Sequence, residues 1–250
     1  MSTRIQVQAG PITVLTLESD DGLHLLSVQT ARTLLEQFQH LKNQRDLQVV
    51  ILTGQGQRAF CAGADMRELL DLPDPPAYVE LGHELVYQME HLPCPIIGAI
   101  NGHALGAGFT LAMSCDLRIM SETASIGQLA VRNGLVPPFG NIQQLLNIAG
   151  VSRGRELIYT GRRLNAQQAE QYQLVHHVAA SDQLMAEAHK MAEMIALSPN
   201  KAIRYAKSII VSTLEQGYAV GLHQQEEALI DCLAAPETRA IMQGFLQKSN

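Results

Sequence analysis

The stretch Gly106–Asp116, GAGFTLAMSCD, sets glycines at a tight turn and then runs at once into an apolar, helix-like segment. Just before it, CPIIGAIN (Cys94–Asn101) reads as a short buried strand, and just after it DLRIMS (Asp116–Ser121) reads as another. Strand, glycine turn, helix and strand in succession form the repeating unit of an α/β layered core. The same alternation recurs toward the N-terminus. There ITVLTLE (Ile12–Glu18) and QVVILTG (Gln48–Gly54) are β-branched runs bounded by turn residues. Between them, Ala31, Leu34, Phe38 and Leu41 fall on one face of a helix. The spacing therefore predicts an α/β core over residues 1–181. From Asp182 onward Leu184, Ala188, Met191 and Ile195 repeat at helical spacing, and helical segments follow near Pro199–Thr213, Tyr218–Ala234 and Pro236–Gln247. Residues 182–250 are thus expected to be an all-helical region that covers the core or packs on a neighbouring chain. DLPDPPAY (Asp71–Tyr78), with three prolines, reads as a loop and a mobile segment.

Composition narrows the class of partner. A chain of 250 residues that is 46% hydrophobic can bury a sizeable core without staples. A net charge of -6 with no basic run argues against nucleic acid and anionic membranes, and an aromatic content of 4% leaves little for a base-stacking platform. Cys61, Cys94, Cys115 and Cys232 form no C-x-x-C pair and read as reduced thiols. The N-terminal MSTRIQVQAGPITV lacks a long apolar run and no segment reaches bilayer-spanning length, so a soluble, cytoplasmic protein is expected. No histidine pair has H-x-x-x-H spacing, so no metal site is expected.

The glycines themselves exclude three familiar chemistries. Gly102, Gly106 and Gly108 give G-x-x-x-G-x-G, not the dinucleotide G-x-G-x-x-G, and neither a phosphate loop ending in G-K-[ST] nor a G-x-S-x-G nucleophile elbow occurs. What remains is the backbone. Small residues ahead of a helix let a ligand oxygen approach free N–H donors, and Ala107 sits where one would point. A second small-residue turn, RAFCAGADMREL (Arg58–Leu69), has Asp65 opening a helix. Two such turns can converge on one carbonyl oxygen and stabilise an oxyanion. From the pattern alone, two turns that merely pack closely remain the simpler account.

Several blocks, in register, resemble the crotonase, or enoyl-CoA hydratase/isomerase, superfamily from Ile12 to Lys248. RAFCAGAD is similar to its first oxyanion-hole box and GHALGAGFTLAMSCDLRI to its second; ASIGQ with GLVPPFG is similar to its third. GRRLNAQQAEQYQLVHHV resembles the segment before the helical tail, and APETRAIMQGFLQK the terminal helix. The resemblance implies a spiral of β-β-α turns with a C-terminal helical trimerisation region. It also implies homotrimers or hexamers that bind an acyl-CoA or acyl-carrier thioester, with no cofactor beyond the CoA moiety. The amides of Ala64 and Ala107 would hold the thioester oxygen. Ala62, Ala64 and the following turn, Asp65, Met66 and Arg67, with Arg58, would line the CoA pocket. Phe245 and Lys248 would touch CoA from a neighbouring subunit.

The departures carry as much information. Where hydratases of the family place two glutamates, this chain has Thr110 and Ala130, and the single glutamate of the isomerases also falls at Ala130. Neither residue can exchange a proton near neutrality, so the two-carboxylate mechanism cannot run through them. Thr110, Ala130 and Phe139 then remain only as substrate-binding positions. An oxyanion site without its base suits a lyase or isomerase whose carbanion forms without proton abstraction, as in decarboxylation, which needs only a proton donor. Tyr78, His83 and His223 are the donors to weigh, against the blander readings of loop anchor, solvated helix residue and polar position beside QQEE. The alternatives are a non-catalytic acyl-CoA binder and a residual hydratase whose water is held by Thr110.

Overall fold

In the computed structural model, which describes residues 3–248, three of the four long apolar strands are followed by a three-residue strand and then by a helix. The long strands are β2 (Ile12–Glu18), β3 (Val49–Gly54), β5 (Ile96–Ile100) and β7 (Leu117–Ser121), which lie side by side and parallel. β1 (Arg4–Gln8) adds antiparallel at one edge and β10 (His177–Ala179) parallel at the other, giving the order β1-β2-β3-β5-β7-β10. The short strands β4 (Ala59–Cys61), β6 (His103–Leu105) and β8 (Ser125–Gly127) build a second sheet, closed by the antiparallel β9 (Leu164–Asn165) in the order β4-β6-β8-β9. From β3 onward each turn of the spiral thus gives one strand to each sheet, whereas β2 runs on to the helix Val28–Lys42 with only an isolated bridge from Leu26 to Ala64.

Every residue of β3 and β5 is buried because both faces of the large sheet are covered. Val50, Leu52, Ile96 and Ile100 face one cluster with Leu34 and Phe38 of α1 (Val28–Lys42) and Leu85 and Met89 of α3 (Pro75–Glu90). Val49, Ile51, Ile97 and Ala99 face the other, against Leu184, Ala188 and Ala192 of α7 (Leu184–Ala196). The alternation along a single strand assigns these residues to opposite sides.

One expectation is corrected. Asp71–Tyr78 is a loop only as far as Asp74; Pro75 and Pro76 open α3, where their missing N–H groups cost nothing. Asp74 caps the helix, accepting from the Ala77 amide at 3.0 Å. The remaining helices are the short α2 (Met66–Leu70) and α4 (Ala107–Met113), then α5 (Asn141–Thr160), α6 (Ala166–Gln171), α8 (Asn200–Gln216), α9 (Tyr218–Ala234) and α10 (Pro236–Lys248). α8 is pinned to the core by Lys207, which is buried and donates to Asp116 Oδ2 at 2.7 Å and to the Cys94 carbonyl at 3.0 Å. Among the described residues no helix is long and apolar enough to cross a membrane.

Candidate active site

The turn after β4 and the turn after β6 press against each other. A Cβ on Gly108 would lie 1.9 Å from the Cys61 carbonyl oxygen, so only glycine lets the first turn of α4 approach β4 this closely. Gly106 adopts φ 54 and ψ -116, a conformation open to glycine, and it aims the next peptide out of the turn. Ala107 is the first residue of α4, and its N–H therefore has no intrahelical acceptor. Ala64 follows Gly63, whose φ of 123 makes the corresponding bend on the other side. Among the described residues, neither the Ala64 nor the Ala107 amide donates to a protein acceptor, and both residues border one cavity of about 560 Å³.

The walls of that cavity are apolar: Met66, Leu69 and Leu70 of α2, Val79 of α3, and Leu135, Val136 and Pro138 of the segment ahead of α5. Of the described side chains lining it, only Tyr78, Gln128 and Asn133 are polar, and only Tyr78 titrates. Tyr78 sits in the first turn of α3, its ring edge-on to Phe139 with centroids 5.4 Å apart. Phe139 in turn fills the space over Gly82, where a Cβ would lie 2.0 Å from the ring, and Gly82 is four residues on from Tyr78 on the same helix face. Among the described residues the Tyr78 hydroxyl has no hydrogen-bond partner. Burial pushes its phenol up to about 12, with the Glu68 carboxylate and the Cys61 thiol adding in the same direction. The group therefore stays protonated and able to donate.

The expected site residues separate into three groups. Ala62, Ala64, Met66, Ala107, Ala130 and Tyr78 line the cavity. Thr110 and Phe139 are buried behind it: the Thr110 hydroxyl turns back to the Gly106 carbonyl at 3.3 Å, and Phe139 braces Tyr78. Asp65 is spent as the N-cap of α2, accepting from the Arg67 amide at 3.0 Å, while the Arg67 side chain is exposed. Arg58 donates to the Asp21 carbonyl at 2.5 Å and does not border the cavity. His83 is exposed, 6.3 Å from Phe139 between ring centroids, and His223 lies 3.5 Å from Glu227 on α9; neither reaches the cavity in this chain. Phe245 is exposed on α10, and the side chain of Lys248 lies outside the described structure. Cys61 is wholly buried and its thiol is pushed up to about 12 by burial, which leaves it inert as a nucleophile. Gln128 was not singled out from the sequence although it stands in the ASIGQ block. Its Nε2 donates to Asn141 Oδ1 at 2.8 Å, and its Oε1 accepts from the Ala130 amide at 3.3 Å.

A two-sheet spiral with free amides at the seam of two turns is the scaffold of a known class, and comparison with known proteins places this chain within it. The family described as Enoyl-CoA hydratase/isomerase matches residues 8–250, and the chain belongs to that family. YngF of Bacillus subtilis is 36% identical over 94% of this chain and 91% of its own length. The short-chain-enoyl-CoA hydratase of Clostridium acetobutylicum is 31% identical over 96% of this chain and 92% of its own. Among solved structures, the enoyl-CoA hydratase of Bacillus anthracis superposes with a TM-score of 0.92 at 32% identity, covering 99% of this chain and 97% of that one. The fold is therefore the crotonase fold, with a helical C-terminal region.

Proposed function

We propose that this member of a family of acyl-CoA enzymes converts a thioester, borne on coenzyme A or an acyl carrier, by losing CO₂ from Cα instead of abstracting a proton. The bond from Cα to the carboxylate breaks, and CO₂ leaves its electron pair on Cα. The resulting enolate oxygen sits between the amides of Ala64 and Ala107. The Tyr78 hydroxyl then gives its proton to Cα, and the phenolate recovers one from water. The products are CO₂ and the shortened acyl thioester.

One observation carries this reading: two unspent amides open onto a cavity whose lining, among the described residues, holds no carboxylate, imidazole or cation, and whose one titrating group there is a protonated phenol. Hydration would need a carboxylate to activate water, yet a methyl group stands at Ala130 and Thr110 is turned away. An apolar cavity without a cation also suits decarboxylation. A substrate carboxylate entering it loses its hydration, and the charge moves during the reaction to the one oxygen for which donors are in place.

The test is to incubate the protein with crotonyl-CoA and, separately, with malonyl-CoA and methylmalonyl-CoA, following hydration in the first case and CO₂ release in the others. CO₂ release with negligible hydration is expected. Hydration alone would overturn the proposal, and tight binding of all three with no turnover would leave the chain an acyl-CoA binder.

A further inference from the structure

Behind the oxyanion site, buried side chains form a single directed chain of hydrogen bonds. Its direction can be read from Ser114, whose hydroxyl donates to the Thr110 carbonyl at 2.9 Å. That oxygen must therefore accept from Gln144 Nε2, which lies 2.8 Å away. The same nitrogen donates to Glu90 Oε1 at 2.7 Å. With its nitrogen so committed, Gln144 turns Oε1 toward Asn141 and accepts from Nδ2 at 3.2 Å. Asn141 Oδ1 then accepts from Gln128 Nε2 at 2.8 Å, and the other proton of that nitrogen faces the Gly106 carbonyl at 3.4 Å. Flipping any one of these amides would set donor against donor or acceptor against acceptor on both sides, so the order is unique. Gln128, Asn141, Gln144 and Ser114 are all buried.

The chain ends on the peptide that matters. The Gly106 carbonyl and the Ala107 N–H belong to one peptide group, and each donor on the carbonyl makes the N–H a stronger donor. That carbonyl already accepts from the Thr110 amide at 3.1 Å and from the Thr110 hydroxyl at 3.3 Å. At the far end Glu90 lies in a second cavity, of about 610 Å³, lined by Met113 at the end of α4, residues 114–118 after it, and parts of α5 and α8. Glu90 does not border the substrate cavity.

We infer that Glu90 is a positioning residue for the oxyanion site, its carboxylate anchoring the Gln144–Asn141–Gln128 amide chain that orients and polarises the Gly106–Ala107 peptide. This rests on the reading of Ala107 as an oxyanion donor. Three aligned amide dipoles running from Gln128 to a carboxylate acceptor are held in one sense by that acceptor. Without it, Gln144 Nε2 keeps only the neutral Ser114 hydroxyl as an acceptor.

The test reads the donor directly. Butyryl-CoA carrying ¹³C at the thioester carbonyl is bound to wild type, Glu90→Gln and Glu90→Ala, and the labelled C=O stretch is compared with that of free ligand by isotope-edited infrared spectroscopy. The wild type should lower the frequency, Glu90→Gln should keep part of that shift because it retains an acceptor without the charge, and Glu90→Ala should keep least. The turnover number for CO₂ release should follow the same order with KM held. A loss of roughly tenfold is expected for alanine, a fraction of the hundredfold or more that removing a whole oxyanion donor costs. Equal shifts in all three proteins would overturn the inference while leaving the oxyanion site intact. No shift in the wild type would overturn the oxyanion reading itself, and the inference with it. Should Glu90→Ala not fold, the isosteric Glu90→Gln carries the decision: a reduced shift supports the anchor and an unchanged one removes it.

Discussion

Tyr78 and Glu90 are both raised by burial, and the consequences differ because one is wanted protonated and the other charged. The Tyr78 phenol, pushed up to about 12, is fully protonated across the neutral range, so turnover that depends on it should be flat there and fall only as pH climbs toward that value. Tyr78→Phe keeps the ring against Phe139 and removes the proton. Turnover should drop about 10²-fold or more, in line with loss of a general acid, while butyryl-CoA binding measured by calorimetry is unchanged. Glu90 is lifted above the usual carboxylate range chiefly by burial, with the Gln144 hydrogen bond opposing. A folded value above the unfolded one means the folded state holds the proton more tightly. Its contribution favours folding below the unfolded pKa and is lost as pH rises through the folded one. Glu90→Gln should therefore melt above wild type at pH 7 and coincide with it in acid, which thermal melts at the two pH values would show.

At the scale of elements, the site depends on how closely α4 lies against β4. Gly108→Ala would drive a methyl into the Cys61 carbonyl, and the backbone must move to relieve it. A loss of about 1–3 kcal/mol in chemical denaturation is expected, with acyl-CoA binding weakened, because the amides of Ala64 and Ala107 are carried on these two segments. α8 depends on a different contact. Lys207→Met would strand Asp116, which is 31% exposed and keeps the Ile96 amide at 2.7 Å, so the cost should fall toward the lower end of a broken buried pair, about 3 kcal/mol by urea unfolding. These elements were unequally legible in the sequence. β2 and β3 show as β-branched runs, β5 and β7 as short buried strands beside the glycine turn, and the tail helices by their apolar spacing. The strands β4, β6 and β8 have three residues each, too few to display a period, and β1 is exposed and polar, so neither signals itself. Pro75 and Pro76 look like a loop until Asp74 is seen to cap a helix behind them. For the donor, sequence offered Tyr78, His83 and His223 on equal terms. Tyr78 and His83 are five residues apart on one helix and both lie edge-on to the Phe139 ring, and it is the cavity lining that shows Tyr78 to be the one that borders it.

For the molecule as a whole, the tail poses a problem that one chain does not solve. α7 is folded onto the large sheet and α8 is pinned by Lys207, but beyond them the apolar side chains turn outward. On α9, Leu222, Leu229 and Leu233 recur at spacings of seven and four and are 41%, 56% and 48% exposed, with Ile230 beside them at 70%. A stripe at that spacing marks one helix face, and on α10 Ile241 and Met242 are exposed as well. Contiguous apolar faces of this kind mark surfaces that another chain covers. On the resemblance by which Phe245 and Lys248 would reach a neighbour's CoA, the expected cover is further copies of this chain. In light scattering, the protein should then run at three or six times its 27.3 kDa. Replacing Leu229 and Ile230 together by lysine should shift it toward a single chain with an unchanged far-UV spectrum, since neither residue is part of the core. Activity separates the two uses of the tail. If α10 of one subunit completes the thioester site of the next, KM should rise as the assembly dissociates, while the turnover number at saturating substrate stays near that of wild type, because Ala64, Ala107 and Tyr78 all belong to one chain. If KM is unmoved in the dissociated variant, the tail serves assembly alone.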